Sequence, residues 1–201
     1  MCSLESHFST DVMRRPIILA VLFIVTIGQA MSHTSASDDK QLMRKIDAAD
    51  RRSSCRLTER KILEGDTDRG MEVANYHCGE SLEKIVVLFG LSKKDLIFRY
   101  VLTDGNVARL EVSERKYRST ADAGPDFKNP LPPTIIGVFY FAGARLISSR
   151  TSTGNLVITE QNKPDKTAAF LRMVEAAQAA LRSTQPHPEF DAVSLLTAIF
   201  G

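Results

Sequence analysis

The sequence predicts an α+β fold, in which an antiparallel β-meander sheet has an N-terminal helix and C-terminal helices packed on it. Apolar residues recur at helical spacing over 38–53 and again over 165–182. Between these segments the period changes to two, and short runs rich in β-branched and aromatic residues are separated by turn residues. A block of strands flanked by helices, without regular alternation of the two, is typical of α+β folds.

The first segment of the chain has the features of a secretory signal peptide. Arg14 and Arg15 precede an almost purely apolar run over 16–27, and small residues follow it up to Ala30. A positive flank, an apolar core and a small-residue cleavage site are the parts of such a peptide. The run is shorter than the roughly 20 apolar residues that a membrane span needs. We therefore predict that 1–30 is a signal peptide, that the protein is periplasmic or secreted, and that no stable membrane span remains after cleavage.

Two alternatives stay open for this segment. Translation could start at Met13 instead of Met1, and Cys2 would then never enter the mature protein. The arginine pair could also direct export of the folded protein by the twin-arginine route. Two arginines are also the ordinary positive flank of a signal peptide, and we favour that interpretation.

The remaining chain is long enough for one domain with a sizeable core. We expect a polar lead-in over 31–36, a single α+β domain over 37–185 and a C-terminal tail helix over 186–201. The 26 lysines and arginines nearly balance the 24 aspartates and glutamates, and the signs are interspersed along the chain. This distribution lacks the basic stripe of a nucleic-acid-binding protein, so we expect no nucleic-acid partner.

Cys55 and Cys78 are the cysteines that remain once Cys2 is removed. In an oxidising compartment, such a pair is most simply a disulfide. His77 is a poor base for a Cys78 nucleophile, because neighbouring side chains of a strand point to opposite faces. A zinc site made of these three residues and His187 would lack the tight ligand spacing of structural zinc sites. The prediction is a Cys55–Cys78 disulfide, with no metal and no cofactor.

The N-terminal helix over 38–53 is predicted from its start signal and its apolar spacing. Ser37 precedes two aspartates, and acidic residues favour the first turn of a helix. Strands are then expected over 56–63, 71–78 and 82–89. The apolar positions expected on the buried face of the helix are Leu42, Met43, Ile46 and Ala49.

The clearest local feature is a hairpin with strands over 95–103 and 107–113. Between them, Asp104 and Gly105 supply the positive φ that tight hairpin turns require. One face of the first strand carries Leu96, Phe98, Tyr100 and Leu102.

On the opposite face of this hairpin, Arg99 and Glu111 are placed to pair across the strands. We expect a modest surface contact and not a site. Glu111 and Glu114 are expected to be solvated, because paired-carboxylate catalysis requires a defined separation that a strand pattern does not specify.

The longest break in the pattern covers 119–133 and contains several prolines. A loop of this length is either a mobile connection or a contact for a partner. Strands are expected over 134–141 and 145–152, and a turn at 154–155 leads into a further extended segment over 156–159.

Two helical patterns close the chain. The stripe in 165–182 is expected to be a core face and not a cofactor site; its members are Phe170, Met173, Val174, Ala177 and Leu181. The tail pattern indicates either a helix docked on the domain or a helix that binds a partner. Its apolar positions are Phe190, Val193, Leu196 and Phe200.

Residues 82–181 and the preceding few resemble a loosely defined set of uncharacterised exported bacterial proteins. The resemblance rests on GESLEKIVVLFG, YVLTDGNVARLEV, FYFAGARLI and the closing helix. It implies an antiparallel sheet flanked by helices and no established activity. The segments YHCGESLEKIVVLF and LEVSERKY are also similar to bacterial inhibitors of c-type lysozyme, although Ser113 is followed by Glu114 where those inhibitors have glycine.

Catalytic motifs with specific spacing are missing from the sequence, including a phosphate-binding loop, a Gly-x-Ser-x-Gly elbow and a His-Glu-x-x-His helix. We therefore expect a non-enzymatic binding or interaction domain of the bacterial envelope, with a macromolecular partner. The partner would contact a sheet face or the 119–133 loop. An inhibitor of a cell-wall-cleaving enzyme such as lysozyme is the alternative, and an unrecognised hydrolase is the third possibility.

Overall fold

The predicted antiparallel meander is present in the structure, a computed structural model that describes residues 36–80, 82–117, 131–152 and 156–201. The predicted signal peptide, most of the polar lead-in and most of the predicted loop over 119–133 lie outside the described residues. The turn expected at 154–155 also lies outside them.

Seven strands form one sheet, and each strand pairs antiparallel with its neighbours in the chain. Within these described ranges one helix precedes the sheet and two follow it, which confirms the α+β fold class. Most predicted elements agree with the structure to within a few residues. The elements are α1 (Ala36–Arg52), β1 (Arg56–Leu63), β2 (Met71–His77), β3 (Leu82–Leu91), β4 (Lys94–Thr103), β5 (Asn106–Lys116), β6 (Thr134–Ala142), β7 (Arg145–Thr151), α2 (Lys163–Arg182) and α3 (Ala192–Phe200).

The hairpin between β4 and β5 turns where the sequence predicted it. Asp104 has a φ of 50° and Gly105 a φ of 76°. Two consecutive residues with positive φ match the right-handed twist of the flanking strands. The turn starts the pairing at Thr103 and Asn106, and a one-residue register shift between Val101 and Leu102 then brings Arg99 opposite Glu111.

The core lies between α2, α3 and the sheet face that we call the inner face. Alternate residues of the strands point to this face, and the predicted stripe of α2 packs onto it. Phe139 of β6 lies 4.6 Å from Phe170 of α2 between ring centroids. On β4, the four predicted apolar residues of the inner face are all at most 4% exposed.

Tyr100 ties β4 to α2 from within this core. Its side chain is fully buried, and its hydroxyl donates a hydrogen bond to the Phe170 carbonyl at 3.0 Å. Burial raises the pKa of Tyr100 well above its usual value. The folded protein thus keeps a proton that the unfolded chain releases near pH 10.

Substitution of Tyr100 by phenylalanine is expected to lower the free energy of unfolding at neutral pH by about 1 kcal/mol. In the wild type, the contribution of the raised pKa is complete below about pH 10 and is lost as the pH rises further, because the native state then binds more protons than the unfolded state. The variant should show a shallower alkaline loss in urea denaturation. Tyr76→Phe, a half-buried tyrosine of the outer face, is the control and should change neither quantity.

The segment expected to be extended over 156–159 contains no strand. Leu156 is instead buried in the core at 1% exposure. It packs over Gly137, where an added Cβ would lie 2.8 Å from Leu156 Cδ2. Asn162 then holds the chain in a turn, since its side chain accepts from Thr159 N–H and donates to the Val157 carbonyl.

The tail helix begins at Ala192 and not at residue 186, which corrects the predicted boundary. Prolines at 186 and 188 lack the N–H that a helix interior requires. The preceding segment instead adds a short parallel bridge at the edge of the sheet, between Glu64 and Glu189. The helix starts where Asp191 accepts a hydrogen bond from Ser194 N–H.

The tail helix docks on the domain, which confirms the first of the two interpretations predicted from its sequence. Phe190, Ala192 and Ile199 are at most 5% exposed, whereas Val193 points outward at 56% exposure. Lys166 of α2 donates to the carbonyls of Ile199 and Gly201, which fixes the last turn of α3. The apolar pattern was therefore correct for docking but wrong in the placement of Val193.

Candidate functional site: a helix–sheet pocket

The outer face of the sheet, opposite α2 and α3, has an ordered set of polar side chains. In antiparallel strands, directly opposed residues project to the same face with their Cβ atoms about 5 Å apart. The register of β5, β6 and β7 therefore produces two rows across the sheet. They are Arg109, Tyr140 and Ser148 in one row, and Glu111, Val138 and Arg150 in the next.

Helix α1 lies across these strands on the outer face. Asp39 pairs with Arg145 of β7 at 3.2 Å, and Asp50 pairs with Lys84 of β3 at 2.6 Å. A helix rises roughly 16 Å between these two aspartates, and strands β7 and β3 are roughly 19 Å apart at the usual spacing. The helix therefore spans five strands, nearly perpendicular to them.

Charged contacts attach α1 to the sheet more than apolar burial does. Ile46 is the one residue of α1 that is buried. Leu42 and Met43 are only half-buried, and Ala49 is exposed. The predicted apolar face was therefore wrong at Ala49, because the helix faces the sheet with aspartates on that side.

Arg109 is the centre of the charge network beneath α1. Its guanidinium lies 3.0 Å from Asp50 Oδ2, 2.8 Å from Glu111 Oε2 and 3.6 Å from Asp47 Oδ1. Burial opposes the charge on this side chain, but attraction to Glu111, Tyr140 and the two aspartates raises its pKa overall. Arg109 is therefore a permanently charged anchor that holds α1 over the sheet.

Tyr140 supports the same arrangement from β6. Its hydroxyl donates to the Asp47 carboxylate, at 2.8 Å and 2.9 Å from the two oxygens. Burial and this hydrogen bond raise the pKa of Tyr140. The phenol therefore stays protonated and is engaged with Asp47 at neutral pH.

The predicted Arg99–Glu111 pair is present, with 3.3 Å between Nη1 and Oε1. The expectation that Glu111 is solvated was wrong, because this residue is 6% exposed and lies under α1. Glu114 is also partly covered, and it pairs with Lys94 at 2.6 Å and Lys116 at 3.1 Å. Both carboxylates thus form ion pairs with neighbouring basic side chains.

A pocket of about 450 Å³ opens between α1 and strands β5 to β7. Lys40, Arg44 and Arg51 line its helix side, and Arg150 lines its strand side. These four exposed side chains make no ion pair with any other residue in the described part of the chain. Asp50 of the pocket already forms ion pairs with Arg109 and Lys84, and Asp47 accepts a hydrogen bond from Tyr140. The pocket therefore presents an excess of positive charge.

The disulfide lies at the end of the same helix. The structure joins Cys55 and Cys78, as the sequence predicted. Cys55 follows α1 by three residues, and Cys78 directly follows β2. The bond therefore fixes the chain leaving α1 to the sheet. The nucleophile and zinc alternatives would both need thiols that this bond uses. Within the ranges that the structure describes, no group of three or more metal-ligating side chains occurs.

Sequence reasoning missed the pocket. On α1, residues 40, 44, 47 and 51 recur at intervals of four, three and four, which places them along one face. That stripe was detectable, but charged stripes are usually solvated. The row of Arg109 and Tyr140 that faces this stripe was not detectable. It depends on the register between β5 and β6, and residues 118–130 separate these strands in the sequence.

The segment that resembles lysozyme inhibitors is largely covered. Ser113 and Tyr117 are 5% and 8% exposed. The Tyr117 hydroxyl donates to Asp95 at 2.5 Å, inside the protein. An inhibitory contact through these two side chains would require them to leave their present positions.

No protein family, curated protein or solved structure matches this chain. Among the described helices, none has the length and apolar character to cross a membrane.

Proposed function

We propose that this protein is an exported, non-enzymatic binding domain that holds an acidic macromolecular partner at the helix–sheet pocket. One observation carries the proposal. Among the described residues, four basic side chains without an acidic partner surround a pocket whose two aspartates are held by Arg109, Lys84 and Tyr140. Charge complementarity of this kind increases association rates and selects partners of opposite sign.

The side chains around the pocket favour binding over catalysis. Neither histidine nor cysteine lines it. Its one lining tyrosine has a raised pKa and donates a hydrogen bond to Asp47, so it stays protonated and does not act as a general base at neutral pH. Ser148 lies opposite Tyr140 in the sheet, and the pocket lining contains no histidine to act as the general base that a serine nucleophile requires.

Export is supported by two independent features. The first segment has the pattern of a signal peptide. The Cys55–Cys78 bond is of a kind that persists in oxidising compartments. The partner that we propose is therefore an acidic component of the bacterial envelope or its surroundings. Inhibition of a cell-wall-cleaving enzyme and hydrolysis stay as untested predictions from the sequence.

The proposal is tested with labelled poly-L-glutamate as an acidic polymer, and with the double variant Arg44→Gln/Arg150→Gln. Loss of two charged contacts should weaken binding by at least about tenfold. The matched control is Arg172→Gln/Arg182→Gln, which makes the same change of charge on exposed residues of α2.

Fluorescence anisotropy at low and physiological salt measures the affinity, and circular dichroism checks that both variants are folded. The control should bind as the wild type does. Equal binding by the two double variants would mean that the pocket is not the binding site.

A further inference from the structure

We propose that the group recognised in the helix–sheet pocket is a phosphoryl group, held as a dianion between α1 and β7. This inference rests on the proposed function and adds the chemical class of the ligand. It follows from where the unpartnered cations lie, from what the lining acids already bind and from the size of the pocket.

The cations come from two opposite walls. Arg44 is on α1 and Arg150 is on β7, and both line the same pocket. Arg44 lies one turn from Lys40 on the helix, so a second cation is close on that wall. A ligand that satisfies both walls must accept hydrogen bonds in more than one direction.

The interior of the pocket cannot neutralise this charge. Asp50 is held by Lys84 at 2.6 Å and by Arg109 at 3.0 Å. Asp47 accepts the hydroxyl of Tyr140 at 2.8 Å. The two lining carboxylates thus have cations or donors of their own, and the rim cations are available to a negatively charged ligand.

A phosphate ester fits these requirements better than a carboxylate does. It has three terminal oxygens and a charge of roughly −1.5 to −2 at neutral pH. Arginine binds such oxygens through its planar fork, and lysine binds them as a point charge. A carboxylate offers two oxygens and one charge, so it would satisfy one wall and leave the other without a partner.

The pocket also has room for the body of an ester. Its volume of about 450 Å³ is within the range of small-ligand sites. Met43 of α1 and Val138 of β6 contribute apolar surface to its lining. A compact organic body such as a sugar ring could lie against them. The same phosphoryl chemistry occurs on a free phosphate ester and on a phospholipid head group.

The test compares three ligands with the same ring and different anionic groups. Glucose 6-phosphate is titrated against the wild-type protein by calorimetry, beside glucose 6-sulfate and glucuronate, which are monoanions. The phosphate should bind about tenfold more tightly than either monoanion. Arg44→Gln and Arg150→Gln should each weaken phosphate binding by about tenfold, and Arg172→Gln should leave it unchanged.

Two further probes, inorganic phosphate and phosphatidylcholine vesicles containing phosphatidate, show whether the recognised phosphoryl group belongs to a lipid head group or to a soluble ester. Binding to the vesicles that exceeds binding to glucose 6-phosphate, and is lost in Arg150→Gln, would support the proposal with a lipid head group as its source. Binding of glucose 6-phosphate without vesicle binding would support it with a soluble or polymer-attached ester.

Equal affinity for the phosphate and the two monoanions would overturn the phosphoryl proposal. Retained binding of poly-L-glutamate, lost in the double variant, would then leave the proposed function intact. Absence of binding to every acidic probe would overturn both.

Discussion

Substitution of Asp95 by alanine is expected to lower the free energy of unfolding by about 3–5 kcal/mol, because it removes one partner of a buried ion pair. Asp95 lies at the start of β4 and is 1% exposed. Its carboxylate accepts from Arg69 Nη2 and from the Tyr117 hydroxyl, each at 2.5 Å. Removal of this one group takes away the carboxylate that Arg69 and Tyr117 both bind, while Arg69 Nε keeps its hydrogen bond to the Leu91 carbonyl.

The guanidinium of Arg69 has little access to water once its partner is removed. Its side chain is 12% exposed, and it lies 4.4 Å above the ring of Tyr117. Burial opposes the charge on Arg69, but Tyr117 and Asp95 raise its pKa overall. The cost of the substitution is therefore mainly that of a cation left in a poorly solvated position.

The matched control is Glu72→Ala, which breaks an ion pair of the same length at the surface. Arg60 lies 2.5 Å from Glu72, but its side chain is 61% exposed. Such pairs contribute about 1 kcal/mol or less. Urea denaturation followed by circular dichroism measures both variants. Equal losses of stability would contradict the assignment of Asp95 to a buried network.

The second large effect is expected from the disulfide. The double variant Cys55→Ser/Cys78→Ser should lose about 3 kcal/mol, since the bond closes a loop with a sequence separation of 23. The loss should include weaker attachment of α1, because the bond holds the chain that leaves this helix. Ile46 is the one buried residue of α1, so apolar packing of this helix makes up little of the attachment that is lost with the disulfide.

Urea denaturation of the double variant is compared with that of the wild type before and after reduction. The reduced wild type should match the variant, which separates the effect of the bond from that of the serines. Unchanged stability in both would mean that the sheet alone fixes this region.

Local patterns in the sequence were sufficient for most of the sheet. Alternation of Leu96, Phe98 and Tyr100 identifies a strand with one buried face, and the Asp104-Gly105 turn fixes where the next strand begins. These signals involve residues close in the chain. They were also sufficient to predict the pair of Arg99 and Glu111, but they did not predict that Glu111 is buried.

Contacts between segments distant in the chain could not be predicted from local sequence patterns. Asp95 reads as a polar residue at a strand end, and nothing local indicates that Arg69 reaches it. Arg109 and Tyr140 become neighbours only through the pairing of β5 with β6. The pocket depends on that pairing and on the path of α1, so its chemistry could not be predicted from spacing.

The order of strands in the sheet has a consequence for folding of the chain. Because each strand pairs with the one before it, every strand pairing joins neighbouring segments of the chain. Such pairings cost less loop-closure entropy than pairings between distant strands, and sheets built from them fold faster. The two helices that cover the inner face follow the sheet in the chain. Until α2 and α3 dock, Phe89, Phe98 and Phe139 lack their cover, and exposed apolar surface of this kind is prone to aggregation. The protein is therefore expected to be most prone to aggregation when its sheet has formed and these helices have not yet docked.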